Sequence, residues 1–145
     1  MVDRQPKFFG WGFEGDGLTL DEEKMVLDNY AGRFGVDGFE RIPIPTVDQI
    51  ELHGSRVEVP AKLAQICSTK DHDRLTHTYG KSFPDYVRIT DKDFTNAPDI
   101  VAYAKSEDDV DAVMDWATGA NVAVIPFGGG STVVGGIEPA AGNSF

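Results

Sequence analysis

A chain of 145 residues, 41% hydrophobic and 26% charged, has the composition of one soluble globular domain. Its formal net charge of −11 argues against nucleic acid as a partner, because phosphate backbones call for a basic surface. A single cysteine, Cys67, rules out an internal disulfide and fits a reducing, cytoplasmic setting. No apolar run approaches the ~20 residues needed to cross a bilayer, and the first residues lack the apolar core of a secretory signal.

Residues 1–18 alternate Phe8, Phe9, Trp11 and Phe13 with Gly10, Gly12, Gly15 and Gly17. This reads as an irregular arm whose aromatics pack onto its own protein. Thr19 followed by Glu22 has the form of a capping box. Val26, Tyr30 and Phe34 then recur at helical spacing, and Gly35 is a natural stop. Asp21, Glu22 and Glu23 suit the positive end of that helix. Pro43 and Pro45 predict an extended or looped course over residues 39–52. Residues 60–67 read as a short helix with Pro60 in its first turn and Leu63, Ile66 and Cys67 on the buried side. Cys67, with no activating charge nearby in sequence, reads as a small hydrophobe.

Residues 68–88 are polar and contain His72 and His77. A metal site needs several converging ligands, so the two histidines are read as polar surface groups and no metal is expected. Residues 85–89 read as a strand, and residues 91–99 as a polar turn ending at Pro98. A boundary near Asn96 divides an N-terminal extension, residues 1–95, from a second unit, residues 96–145. That unit opens with a β-prone run at residues 100–103. Ser106 is a good N-cap, with Glu107, Asp108 and Asp109 in the first turn. Val110, Val113, Met114 and Ala117 form one buried face, and Gly119 ends the helix. The acidic residues of this helix read as a solvated face rather than paired catalytic acids. Residues 122–125 are a short apolar run, read as a buried strand stopped by Pro126. Strand, helix and strand in this order predict a βαβ unit with parallel strands and a right-handed crossover, hence an α/β fold.

The stretch Pro126, Phe127, Gly128, Gly129, Gly130, Ser131 and Thr132 carries the chemical signal. Three consecutive glycines weaken any helix or strand. Without side chains, successive N–H groups can turn inward to form a concave anion site, and Ser131 and Thr132 add hydroxyls at its rim. The common nucleotide motifs fail here. A P-loop needs a lysine after its last glycine, and Gly136 and Ile137 follow Gly135 instead. A Rossmann fingerprint starting at Gly128 ends on Val133, in a β-branched run that disfavours a helix.

Pro98-Asp99-Ile100-Val101, the helix at residues 106–117 and the run at residues 125–136 together resemble the start of a known flavin domain. It is the FAD-binding domain of the vanillyl-alcohol-oxidase and p-cresol-methylhydroxylase (PCMH) flavoproteins. The Pro-Phe-Gly-Gly-Gly-Ser-Thr loop is most similar to the branch containing alkyldihydroxyacetonephosphate synthase. Residues 77–82 (His-Thr-Tyr-Gly-Lys-Ser) and Trp11-Gly12-Phe13 also look like that branch.

The resemblance implies that Pro126 through Thr132 wrap the pyrophosphate of FAD through backbone amides. It also implies that His77, Tyr79 and Lys81 lie on a stretch that packs near the cofactor, with no catalytic residue assigned. Some relatives attach FAD to a histidine in this loop. His53, His72 and His77 all lie outside it, so noncovalent binding is expected. The family is longer than this chain, which reads as an N-terminal fragment: a truncated product, a frameshifted frame or a partial chain. Its partners are then FAD and the missing C-terminal part of the flavoprotein. The intact relative would be an FAD-dependent oxidoreductase or a synthase-like transferase exchanging an acyl group for a fatty alcohol. The alternative is a small nucleotide-binding or interaction module without catalysis.

Overall fold

A computed structural model describes residues 4–138. The first three residues of the expected arm and the tail at residues 139–145 lie outside the described residues. The architecture is mixed α/β, with helices α1 (Leu20–Phe34), α2 (Asp71–Thr76), α3 (Phe83–Thr90) and α4 (Glu107–Ala120). Two short strands, β1 (Cys67–Ser68) and β2 (Val101–Ala102), and single 3-10 turns at Val47–Gln49 and Ala61–Leu63 complete it.

Capping explains where the helices begin. The Thr19 hydroxyl accepts from the Glu22 amide at 3.3 Å while the Glu22 carboxylate accepts from the Thr19 amide at 2.8 Å. Gly35, at φ +66°, closes α1 in the left-handed conformation. Ser106 caps α4 by accepting from the Asp109 amide at 3.2 Å. Pro60 is itself the N-cap of the 3-10 turn, and Cys67 lies in β1 beyond it. Burial pushes the Cys67 thiol pKa up, away from the lowered range of activated thiols.

Several sequence expectations are corrected, beginning with residues 60–67, where only a 3-10 turn at Ala61–Leu63 forms. Residues 85–89 are helical, within α3, rather than a strand. Val87 and Ile89 alternate as a strand would, but Ser82 and Asp85 form a reciprocal capping box and Pro84 sits in the first turn. The helix thereby places Asp85 and Ile89 on one buried face. The parallel βαβ pairing is also absent among the described residues. β2 pairs antiparallel with β1, in register Cys67 to Ala102 and Ser68 to Val101. Residues 122–125 leave α4 as unpaired chain. A strand is defined by its neighbour's hydrogen bonds, and among the described residues no ladder forms on residues 122–125.

The core is a hub around α2 and α3: Phe8, Ile50, Leu75, Tyr79, Ile89, Phe94 and Ala97, with Phe9, Val47 and Leu52 packed against it. Tyr79 stands tilted against Phe94 at 5.3 Å, and its hydroxyl donates to the Asp93 carbonyl. Burial raises the Tyr79 pKa to about 12. Buried Arg74 donates to the Pro98 carbonyl at 2.7 Å and to the His53 carbonyl at 2.9 Å. Asp99 accepts from the Arg56 guanidinium at 2.7 Å. Burial works to raise the Asp99 pKa, but the hydrogen bonds from Arg56 outweigh it and hold that pKa below the usual value.

The helix faces read as buried in α1 and α4 are largely open. Val26, Tyr30 and Phe34 are all exposed. On α4 only Ala117 is fully buried, while Val110 and Met114 are exposed. Val124, Ile125, Val133 and Val134, beyond α4 in the chain, are exposed as well.

Candidate functional site

The glycine stretch is seated on the turn between α2 and α3. The Lys81 amide donates to the Thr132 carbonyl at 2.7 Å. A Cβ built at Gly80 would stand 2.3 Å from that same carbonyl oxygen, so only glycine lets the two backbones approach. Arg88 of α3 reaches past the loop to the Glu138 carboxylate and adds a second fastening. Gly130, at φ +64°, lets the chain curl back over Phe127, where a Cβ would fall 2.4 Å from Cζ.

Phe127 points inward. Its ring packs on His77, with centroids 4.5 Å apart, and His77 meets Tyr103 edge-on at 5.6 Å. The His77 Nδ1 lies 2.7 Å from the Asp73 carbonyl oxygen. A carbonyl can only accept, so Nδ1 carries a proton and donates it. Burial raises the Tyr103 pKa to about 12, with Asp73 adding to it.

Gly128 and Gly129 border a cleft of about 640 Å³. One wall is formed by His72, Asp73, His77 and Lys81 from the α2 region, and the other by the N-terminal arm through Lys7 and Trp11. Space is open around both glycines: a Cβ at either would touch nothing within 4 Å. Among the described residues, no acceptor takes the backbone N–H groups of residues 127–133. The loop is therefore bare main chain, bound into neither helix nor ladder, at the edge of a cleft with basic groups on both walls. Those groups fit an anionic diphosphate.

The sequence-predicted residues are thus only partly gathered. Gly128, Gly129 and Phe127 line the cleft; Gly130 is buried behind Phe127; Thr132 makes the seat; Pro126 and Ser131 are exposed and outside the lining. Pro126 has no N–H to offer. Sequence reasoning missed the arm as a cleft wall and Gly80 as the seat. The arm's alternating glycines carried a signal: Gly10 and Gly12 have positive φ and line the cleft. Among the described residues no three His, Cys, Asp or Glu side chains converge as a metal site would require.

Comparison with known proteins finds similarity to flavin-binding proteins. Residues 98–142 match the sequence family described as FAD binding domain. Alkyldihydroxyacetonephosphate synthase of Trypanosoma brucei brucei is 33% identical over 103 residues, covering 71% of this chain and 16% of that protein. Residues 98–142 are thus similar to an FAD binding domain, and most of the chain is similar to part of an alkyldihydroxyacetonephosphate synthase. The synthase of Dictyostelium discoideum is 42% identical over 72 residues, covering 50% of this chain and 12% of that protein. The synthase of Caenorhabditis elegans is 31% identical over 141 residues, covering 94% of this chain and 23% of that protein. A solved alkyldihydroxyacetonephosphate synthase shares the fold at TM-score 0.76 and 24% identity, over 97% of this chain and 31% of its own. The chain thus spans between 12% and 23% of the length of these three relatives. No helix of its described residues is long and apolar enough to cross a membrane.

Proposed function

We propose that the cleft holds FAD noncovalently, with the diphosphate against the backbone amides of residues 127–132. The observation that carries this reading is the set of unengaged N–H groups at Gly128 and Gly129, opening on a cleft with Lys81 on its wall. Oriented amides of this kind favour an anion without needing a side chain. Pro126 acts by ending the preceding apolar run, and Ser131 and Thr132 by keeping the loop's exit polar. His77 and Tyr103 hold Phe127, which keeps the glycines at the cleft edge.

Bound flavin would supply a two-electron acceptor and donor. The chain's own residues bind and orient; none is assigned a catalytic step. Of the two reaction classes open to the family, oxidoreductase and synthase-like transferase, the names of the matched relatives favour the transferase. Residues 1–95 then form an extension that supports the flavin unit at residues 96–145. The rest of the flavin pocket comes from further polypeptide, which covers exposed apolar residues such as Val110 and Met114 of α4. The compartment is cytoplasmic on the reading from the single cysteine.

The test is calorimetric titration of the chain with FAD, ADP and NAD. FAD binding, with weaker ADP binding and none for NAD, is the expected result. Micromolar NAD binding without FAD binding would replace this reading with a general nucleotide module.

A further inference from the structure

The chain carries 13 basic side chains against 24 acidic ones, so a cation without an acidic partner stands out. Arg4 at the cleft is paired with Asp16, and Lys7 donates to the Asp16 carbonyl. Lys81 is different. It is half-buried and lines the cleft beside Gly128 and Gly129. Among the described residues its ammonium makes no ion pair and no hydrogen bond. Nearby Asp85 is already engaged, accepting from the Ser82 amide and hydroxyl at 2.8 and 2.7 Å, with Arg88 at 3.6 Å. Asp73, the carboxylate on the cleft wall, accepts from the Ser68 hydroxyl.

A half-buried ammonium without a partner is costly unless something compensates it. Desolvation pushes the Lys81 pKa down, and Asp85 only pulls it part of the way back. A second polar group in the cleft wall is also unsatisfied: His72 Nε2 is buried and has no hydrogen-bond partner. The Lys81 backbone is held too, because its N–H is the one that seats the loop on Thr132. The ammonium and the glycine amides are therefore parts of one fixed unit.

We infer that Lys81, on the cleft lining that also includes His72, supplies the side-chain half of a diphosphate subsite whose main-chain half is the glycine loop. Both residues lie upstream of the residues that match the flavin domain, 98–142. The inference rests on the FAD reading and extends it, since it makes the N-terminal extension a part of the cofactor site. The shared chemistry is a diphosphate ester or free pyrophosphate.

The experiment is calorimetric titration of the full chain and its Lys81→Gln variant with FAD, inorganic pyrophosphate and riboflavin. Lys81→Gln keeps the seating amide and removes the charge. It should weaken FAD and pyrophosphate about tenfold, the size of one charge-assisted hydrogen bond, and leave riboflavin unchanged. Lys62→Gln, at an exposed site away from the cleft, should bind like the unsubstituted chain. Equal binding by Lys81→Gln and the unsubstituted chain overturns the inference while leaving the FAD reading intact. An equal loss in Lys62→Gln also overturns it, since net charge would then explain the effect. Pyrophosphate binding that depends on Lys81, without any FAD binding, keeps the subsite and removes the flavin. Binding of neither ligand by the unsubstituted chain removes both. If Lys81→Gln does not fold, acylation of the unsubstituted chain decides: pyrophosphate should slow labelling of Lys81 and not of Lys62. Unchanged labelling overturns the subsite.

Discussion

Helices α1 and α3 are built by the same local device and meet opposite fates. Both open on a hydroxyl residue and an acid three positions later, locked as a capping box. α1 has 15 residues, and its stripe of Val26, Tyr30 and Phe34 lies in the open. α3 has 8 residues, and Ile89 and Asp85 are sealed in the hub. Capping and periodicity decide that a helix forms; the partner it finds decides what it is worth. The shorter helix therefore carries the fold and the longer one decorates it.

That contrast can be broken by substitution. Ile89 is 1% exposed, and Ile89→Ala should cost about 3 kcal/mol in urea denaturation of the chain. Gly80→Ala tests the seat between hub and loop. It should cost about 2 kcal/mol by overpacking and speed hydrogen exchange at the Lys81 amide, because the Thr132 carbonyl must move away. Phe34→Ser, at a residue 67% exposed, should change stability by less than about 0.5 kcal/mol. A cost at Phe34 equal to that at Ile89 would show the α1 stripe to be covered in solution, and the contrast would fall.

The same contrast explains what could be read in advance. Caps are local, and Thr19, Gly35 and Ser106 announced themselves. In α3 the alternation of Val87 and Ile89 masked an equally local signal, Ser82 with Asp85. Whether residues 122–125 pair as a strand depends on a neighbour distant in the chain, as the β1–β2 pairing does, and that choice is not local. The candidate site divides in the same way. Three glycines in a row mark a stretch of bare main chain. Their seat at Gly80 and the facing wall at Lys7 and Trp11 join residues far apart in the chain, and no short pattern encodes such a meeting.

Arg74 sets the limits of dissection. Its buried guanidinium has carbonyl oxygens for partners, one of them on Pro98, at the first residue of the flavin-domain match. Cutting the polypeptide just ahead of that match would take away an acceptor and strand a charge in the interior. The segment named for its cofactor is therefore not a detachable cassette: the rivet that fixes its entry belongs to the sequence before it.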